Sequence, residues 1–252
     1  MALSTLAGYF IANGRDTKTI LLLSLTSFIH SSGCSAINQA QEYDIDSKMK
    51  RCQKRPIPSG LLSSYSAFFI GSILIIVSFL ISSMINFKIL VLLIINFIIY
   101  NILYTYLKRI TSFFLLIGGL AGILPPLLGW IAKKNFTDIN IYFVTFMAII
   151  YVWQVAHFFL IVKIHETDYK DANLPIVDLM GKNFDIIFTI WIICYYSLIF
   201  YYLLLKPTDN GNVLYIMVIL ITLVFLIVSK NNRYRFYTLN FTIILLFLNT
   251  II

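Results

Sequence analysis

Residues 61–107 read LLSSYSAFFIGSILIIVSFLISSMINFKILVLLIINFIIYNILYTYL and carry one charged side chain, Lys88, in 47 positions. A helix needs about 20 apolar residues to cross a hydrocarbon layer about 30 Å thick, so this stretch is long enough for two crossings. The alternation over about ten residues that is typical of a membrane β-strand does not occur in it. The stretch therefore predicts two consecutive membrane helices.

The rest of the chain has the same character. Its 252 residues are 60% hydrophobic and 12% charged, and the mean hydropathy is +0.87. This composition excludes a water-soluble core and predicts an all-α, polytopic integral membrane protein with one membrane domain over residues 1–252. The predicted spans, eight of full length and a short first one, cover residues 1–13, 19–40, 61–85, 87–107, 111–132, 139–162, 184–205, 212–229 and 235–252.

The first span and the cysteines each lack the pattern of a common sequence feature. The first span starts at Met1 without a basic region or cleavage site, so we expect it not to be a signal peptide. Cys34, Cys52 and Cys194 are odd in number and lie far apart, which predicts neither a disulfide nor a zinc site.

The predicted spans divide the charged residues between two sides. One side receives 13 of the 19 basic residues, and the positive-inside rule makes it the cytoplasmic side of a cell membrane. These basic residues are Lys48, Lys50, Arg51, Lys54, Arg55, Lys108, Arg109, Lys163, Lys170, Lys182, Lys230, Arg233 and Arg235. The opposite side receives Arg15, Lys18, Lys88, Lys133, Lys134 and Lys206.

Eight of the 11 acidic residues share the basic side, and they cluster after spans two and six. These eight are Glu42, Asp44, Asp46, Glu166, Asp168, Asp171, Asp178 and Asp185, while Asp16, Asp138 and Asp209 lie opposite. Neutralisation of a basic face is one interpretation. It leaves unexplained why only two loops carry the clusters.

The first cluster lies in NQAQEYDIDSKMKRCQKRP, residues 38–56. Asn38, Glu42 and Asp46 recur every four residues, so they share one face if span two continues helically, and Asp44 points elsewhere. Carboxylate and amide oxygens are ligands that Mg²⁺ takes in proteins. The basic residues that follow, Arg51 and Arg55 among them, suit phosphate oxygens. The cluster predicts a metal-bound diphosphate, with a merely solvated loop as the alternative.

The second cluster repeats this chemistry in WQVAHFFLIVKIHETDYKDANLP, residues 153–175. Its carboxylates could share the same diphosphate through bridging Mg²⁺. A cation transporter is the alternative, but transporters carry acids within their spans, which are nearly free of them here. Gln154 and His157, near the end of span six, are candidates for a substrate pocket, although His157 could equally be a hydrogen-bonded structural histidine, and so could the mid-span His30.

A third stretch, YTYLKRITSFFLLIGGLAGILPPLLGW, residues 104–130, begins with Lys108 and Arg109 near its cytoplasmic end. Its glycines allow close approach of a helix or ligand. The pair Pro125 and Pro126 kinks a helix unless neighbours supply the lost hydrogen bonds. We expect this span to line a cavity.

Taken together, these stretches resemble the UbiA superfamily of intramembrane prenyltransferases, and most closely its protoheme IX farnesyltransferases, or heme O synthases. The resemblance runs through LSTLAGYF, NQAQEYDIDSKMKRCQKRPIPSG, YLKRIT, GGLAGILPPLLGW, WQVAHF and DYKDANLP in the same order and spacing. It implies nine transmembrane helices around a cavity capped by two acidic loops. It also implies Mg²⁺-dependent transfer of a farnesyl group from farnesyl diphosphate to the 2-vinyl group of heme b, giving heme o.

The resemblance assigns roles residue by residue. Asn38, Glu42, Asp46 and Asp168 are implied as the catalytic and metal-binding set. The implied diphosphate-binding residues are Arg51, Arg55, Lys108, Arg109 and Tyr169. Gln154 and His157 are the candidates for the acceptor. The implied partners are the membrane, the two substrates, and heme a synthase or terminal oxidase assembly, and no nucleic acid is expected.

The sequence departs from the family pattern at four points. Glu42 stands where the family usually has Asp, Ala156 where it has Pro, and Cys52 where it has Thr. The first span is half-length. Two other activities stay open: prenyl transfer to an aromatic quinone precursor, which differs only in the acceptor pocket, and heme binding by a carrier or assembly factor without catalysis.

Overall fold

The computed structural model describes residues 1–176, 183–205 and 211–251, and within these ranges every regular element is helical. The charged residues Asp178, Lys182, Lys206 and Asp209, which the sequence assigned to sides of the membrane, lie outside the described residues. The long helices are α1 (Ala2–Ile11), α2 (Thr17–Gln41), α4 (Ser64–Ile85), α5 (Phe87–Leu107), α6 (Phe114–Ile131), α7 (Ile141–Ile164), α9 (Phe184–Leu205), α10 (Gly211–Val228) and α11 (Asn232–Ile251). Two short helices, α3 (Tyr43–Asp46) and α8 (Glu166–Asp171), follow α2 and α7.

Each long helix coincides with a predicted span, and both ends of each agree with the prediction to within three residues. Among the described residues, six helices are long and apolar enough to cross a membrane: α2, α4, α5, α6, α7 and α9. The all-α, multi-pass prediction is therefore confirmed, and the count of nine crossings stays a prediction.

Polar residues between the spans begin the helices. The side chains of Asp16, Ser63, Asn86 and Asn140 each accept a hydrogen bond from a backbone N–H in the first turn of α2, α4, α5 and α7, respectively. Such caps satisfy donors that have no partner within the helix. The short polar loops therefore set where the helices start.

Glycines bring two pairs of helices into backbone contact. An added Cβ at Gly129 of α6 would lie 1.8 Å from the Thr5 oxygen of α1, and one at Gly8 would lie 2.0 Å from the Pro126 oxygen. Between α2 and α4, an added Cβ at Gly33 would lie 2.9 Å from the oxygen of Gly71. Small residues allow such close approach in membranes, where apolar burial gives helices little reason to associate.

A buried polar network connects α2, α4, α5 and α6 at mid-span. His30 bonds Ser78 at 3.2 Å and Asn96 at 3.3 Å, and its side chain is fully buried. The Asn96 amide in turn donates to the carbonyl of Ala121 at 3.1 Å. Ala121 precedes Pro125 by four residues, and Pro125 has no N–H for that carbonyl. A neighbouring helix thus replaces the hydrogen bond that the proline removes, and α6 continues through both prolines.

The middle of α5 is wound more widely than an α-helix. Residues Ile98–Tyr104 form a π-helical segment between Phe87–Phe97 and Thr105–Leu107. Side chains fix it to α2: the Asn101 amide donates to the Cys34 carbonyl at 2.9 Å, and the Gln41 amide donates to the Asn101 carbonyl at 3.0 Å. Such segments are frequent at functional sites.

We expect Gly129→Ala to lower the melting temperature of the purified protein, because its Cβ would meet backbone that cannot rotate away. Overpacking of this kind costs about 1–3 kcal/mol. Gly122→Ala on the same helix is the matched control, since its Cβ would meet only the movable Gln154 side chain, at 3.1 Å. Thermal unfolding in detergent compares them, and equal melting temperatures would contradict the contact between α1 and α6.

Candidate functional site

The three residues of the predicted metal-binding face lie together at the end of α2. The helix stops at Gln41, and α3 begins after Glu42, yet the backbone N–H of Glu42 bonds the Asn38 carbonyl and that of Asp46 bonds the Glu42 carbonyl. These bonds preserve the four-residue repeat across the helix end. All three side chains are buried, and Asp44 is exposed, as the spacing predicted.

Glu42 and Lys108 form a buried ion pair. The Lys108 Nζ lies 2.6 Å from Glu42 Oε2, and the two residues are only 6% and 2% exposed. The other carboxylate oxygen, Oε1, is buried and accepts no hydrogen bond. Desolvation of a carboxylate is costly, so this oxygen is an acceptor available for a further cation or donor.

The loop between α2 and α4, called the first loop below because it carries the first acidic cluster, supplies a basic neighbour to each of the other two carboxylates. Arg55 donates to Asp46 Oδ2 at 2.7 Å. Asp168 accepts the backbone N–H groups of Lys50 and Arg51, each at 3.2 Å. The structure therefore brings the second acidic motif against the first loop, as the two-cluster interpretation predicted.

Arg51 also binds the residue after Asp168. Its guanidinium donates to the Tyr169 hydroxyl at 3.0 Å and lies 5.1 Å from the centre of that ring. The ring and the hydrogen bond together hold the guanidinium beside Asp168, whose carboxylate lies 4.0 Å from Arg51 Nε. The two predicted diphosphate-binding residues are thus direct neighbours.

Arg109 differs from the other predicted diphosphate-binding residues, because its carboxylate partner is the exposed Asp44 and not a residue of the buried face. It donates two hydrogen bonds to Asp44, at 2.6 and 2.7 Å, and a third to the Gln41 carbonyl at the end of α2. Its hydrogen bonds lower the pKa of Asp44 below the usual value. This pair lies at the surface and closes the helix end.

The remaining charges of the second cluster lie outside the site. Glu166 pairs with Lys163 and Lys170 at 2.8 and 2.7 Å, and these hydrogen bonds lower its pKa. Asp171 is exposed. Of this cluster, only Asp168 and Tyr169 are buried against the first loop.

A cavity of about 570 Å³ lies among α1, α2, α5, α6, α7 and α11. Its wall includes Gly118, Gly122 and Pro125 of α6, which confirms that this span lines a cavity, and Gln154 of α7. Tyr100 and Tyr104 of α5 and Trp153 of α7 also belong to the wall. The Trp153 indole N–H is buried without a hydrogen-bond partner.

His157 is not part of this wall. Its Nδ1 lies 2.9 Å from Asn240 Oδ1 on α11, and its ring lies 5.0 Å from that of Trp153. Because the Asn240 amide nitrogen donates to the Phe236 carbonyl, its oxygen faces the histidine, so Nδ1 carries the proton. The imidazole Nε2 is then the nitrogen with the lone pair.

The possible Mg²⁺ ligands at this site are the oxygen atoms of Asn38, Glu42, Asp46 and Asp168. Within the described ranges, no three carboxylate, histidine or cysteine side chains lie close enough to hold a metal ion by themselves. The groups nevertheless suit a hard cation, since Glu42 Oε1 is an orphaned acceptor and the Asn38 amide nitrogen, bonded to Thr105 Oγ1 at 3.0 Å, leaves its oxygen for a ligand. The residues fit a metal that also binds substrate oxygens.

Sequence reasoning missed the aromatic part of the cavity wall. Tyr100 and Tyr104 precede Lys108 at four-residue intervals, and this regular spacing could have indicated a common face. The stretch WQVAHF contains Trp153, but no pattern in it singles this residue out. The free cysteines Cys34, Cys52 and Cys194 agree with the prediction of no disulfide.

Comparison with known proteins gives a consistent set of similarities. The model of the UbiA prenyltransferase family matches residues 1–251. A protoheme IX farnesyltransferase of Nitratidesulfovibrio vulgaris is 36% identical over 69% of this chain and 60% of its own length. The protoheme IX farnesyltransferase of Ehrlichia chaffeensis is 34% identical over 82% of this chain and 70% of its own length. The chain thus spans about three fifths of the first of these relatives.

Solved structures share the fold at low sequence identity. A UbiA homolog from Aeropyrum pernix K1 superposes with a TM-score of 0.73 at 16% identity, over 97% of both chains. A UbiA homolog from Archaeoglobus fulgidus, described as bound to GPP and Mg²⁺, has a TM-score of 0.68 at 15% identity, over 99% of this chain and 95% of its own. The helical arrangement is therefore one already known.

We expect Lys108→Ala to destabilise the protein strongly, because it leaves the Glu42 carboxylate buried without its counter-charge. Breaking a buried pair from one side costs about 3–5 kcal/mol. Arg109→Ala breaks the exposed pair with Asp44 and is the matched control, at about 0–1 kcal/mol. The double variant Glu42→Gln with Lys108→Met should recover most of the loss. Thermal unfolding measures all three, and equal losses in the two single variants would contradict the buried pair.

Proposed function

The chain belongs to the UbiA prenyltransferase family, and we propose that it transfers a farnesyl group from farnesyl diphosphate to the 2-vinyl group of heme b, producing heme o. The observation that carries this proposal is the buried face of Asn38, Glu42 and Asp46, which is paired with Lys108 and Arg55 and begins one helical turn after Cys34 of α2, a residue of the cavity wall. The names of the relatives favour heme as acceptor.

The donor diphosphate would bind where carboxylates and cations alternate. Asn38, Glu42, Asp46 and Asp168 would hold Mg²⁺, which when bound neutralises charge on the departing diphosphate. Lys108, Arg51 and Arg55 would donate to phosphate oxygens, and Tyr169 would keep Arg51 in position. Arg109 is also proposed as a diphosphate ligand, and it would have to break its hydrogen bonds to Asp44 in order to donate to phosphate oxygens.

The cavity would hold the apolar parts of both substrates away from water. Ionisation of the allylic C–O bond sends the electron pair to the diphosphate oxygen, and water exclusion protects the farnesyl cation that forms. The vinyl carbon of heme then attacks, and addition of one water with loss of one proton yields the hydroxyethylfarnesyl side chain. Gln154 in the wall, and His157 through its free Nε2, are the proposed acceptor contacts.

The setting proposed for this reaction is a bacterial-type cell membrane with both acidic loops facing the cytoplasm. Contacts between Arg51 and Asp168 and between Arg235 and Asp185 bring together the loops that follow spans two, six and eight, which supports a common side. The excess of basic residues supports the cytoplasmic assignment. Heme a synthase or terminal oxidase assembly are proposed as partners that receive the product.

A direct assay tests the proposal. We expect purified protein in lipid nanodiscs, given heme b, farnesyl diphosphate and Mg²⁺, to produce farnesylated heme, detected by chromatography and mass, and EDTA to abolish the product. An aromatic quinone precursor offered with the same donor tests the second acceptor. Prenylation of that precursor, with heme b unchanged, would replace the heme assignment. Heme binding without release of diphosphate from any acceptor mixture would favour the non-catalytic alternative.

We expect Asp46→Asn to lower the rate of product formation at least a hundredfold, because the amide cannot supply the anionic ligand; loss of one preorganised electrostatic contact typically costs about 10²–10³ in rate. Asp44→Asn is the matched control, since it changes an exposed carboxylate two residues away and should alter the rate by about twofold or less. Thermal unfolding checks that both variants are folded. Near-normal activity of Asp46→Asn would overturn the metal assignment.

A further inference from the structure

A thiol continues the predicted metal-binding face of α2 into the cavity. Cys34 precedes Asn38 by four residues, so its side chain extends from the same side of the helix, about 6 Å further from the first loop. Cys34 is 4% exposed and belongs to the cavity wall, whereas Asn38 does not. Cys34 is therefore the first residue of this face that the cavity reaches.

The Cys34 thiol lies against a buried histidine. Its Sγ is 3.4 Å from Nε2 of His30, which lies one helical turn earlier on α2 and is 0% exposed. The other ring nitrogen, Nδ1, is 3.2 Å from Ser78 Oγ on α4. A nucleophile, a base within hydrogen-bond distance and a third group that orients the base form the arrangement that activates thiols and hydroxyls in enzymes. The mid-span polar network therefore ends in a candidate nucleophile at the cavity.

The surroundings of His30 suit its protonated form. The Ser78 hydroxyl donates to the Ile75 carbonyl at 2.7 Å, so the Ser78 oxygen faces Nδ1 as an acceptor. The Asn96 amide nitrogen donates to a backbone carbonyl of α6, so the Asn96 oxygen faces Nε2 at 3.3 Å. An imidazolium has an N–H on each ring nitrogen and satisfies both oxygens. His30 can therefore accept the proton of Cys34 without leaving an acceptor unpaired.

The thiol lies where the cavity meets the acidic face. A prenyl donor with its diphosphate on that face extends its chain into the cavity, and its first carbon is joined directly to a phosphate oxygen. Cys34 is the residue of α2 at this junction. Among the residues that line the cavity in the described ranges, it is also the only cysteine. A sulfur nucleophile is thus placed where the allylic carbon becomes electrophilic.

We propose that Cys34, activated by His30, is a site of covalent self-modification, at which the allylic donor forms a thioether when no acceptor is bound. The proposal rests on the proposed prenyl transfer. The C–O bond of the donor breaks, and its electron pair leaves on the diphosphate oxygen. A sulfur lone pair of Cys34 forms the new S–C bond, and the thiol proton moves to His30 Nε2. The attached chain then occupies the cavity, so a modified molecule is blocked against further turnover.

Self-labelling of the whole protein in lipid nanodiscs tests the proposal. We expect farnesyl diphosphate and Mg²⁺, without an acceptor, to replace one hydrogen of the chain by one farnesyl group, detected by intact mass. Peptide mass spectrometry should locate the group on Cys34, and Cys34→Ala should stay unmodified. EDTA should prevent the modification. Heme b, as the competing acceptor, should lower the modified fraction.

The other two cysteines are internal controls for thiol reactivity. Cys52 is 1% exposed in the first loop, Cys194 is exposed on α9, and neither lines the cavity. Both should stay unmodified under these conditions. His30→Gln should slow the modification of Cys34 about a hundredfold or more, because a positioned general base typically contributes about 10²–10⁴ in rate.

Two serines of α4 give a matched pair for the orientation of His30. Ser78 and Ser82 are both 0% exposed, and each hydroxyl donates to the carbonyl three residues earlier, but the hydrogen bond to His30 is made by Ser78. Ser78→Ala should slow the modification of Cys34, and Ser82→Ala should leave its rate unchanged. Thermal unfolding checks that the variants are folded. Equal rates in the two serine variants would overturn the role of His30, even if His30→Gln does not fold.

Farnesyl chloride separates this inference from the proposed donor site, because an allylic chloride ionises without bound diphosphate or metal. Modification of Cys34 by the chloride and not by farnesyl diphosphate would support Cys34 and His30 as the nucleophile and its base, and would overturn the donor site. If neither reagent modifies Cys34, the inference is overturned. An unchanged rate of modification in folded His30→Gln would also overturn it.

Discussion

Backbone N–H and C=O groups that have no water to bond constrain every part of this chain. In hydrocarbon only a helix satisfies them within a single segment, and in the ranges 1–176, 183–205 and 211–251 the long apolar runs are helical. Where a span departs from regular α-helical hydrogen bonding, side chains from neighbouring helices bond the backbone carbonyls. Asn96 bonds the carbonyl that Pro125 leaves free, and Gln41 bonds a carbonyl of the π-helical segment. These repairs connect helices that apolar packing alone would hold weakly.

The helices and their bounds could be predicted from sequence, because span length and hydropathy depend on local composition. The face shared by Asn38, Glu42 and Asp46 could be predicted too, since helical periodicity is also local. The widening of α5 at Ile98–Tyr104 could not, because it depends on contacts with residues about 60 positions earlier in the chain. A single sequence holds no direct record of such distant pairings.

The interpretation of individual charges shows the same limit. Lys108 and Arg109 are adjacent and both basic, and no sequence pattern distinguishes their roles. In the structure the first is buried against Glu42 and the second lies at the surface against Asp44. Likewise His157, which the motif suggested for the pocket, bonds Asn240 on the last helix, a residue that no local pattern singles out. Burial and partner choice are properties of the assembled bundle.

Each carboxylate at the end of α2 is paired with a basic side chain of the same chain: Glu42 with Lys108, Asp44 with Arg109 and Asp46 with Arg55. If the proposed function is correct, metal and diphosphate would bind by replacing existing ion pairs. The metal would take the place of Lys108 and Arg55 on Glu42 and Asp46, and the two basic side chains would bind the diphosphate. The exchange runs in both directions. On departure of diphosphate and metal, the same lysine and arginine would return to Glu42 and Asp46, so that release of the leaving group and recovery of the ion pairs seen here would be a single rearrangement.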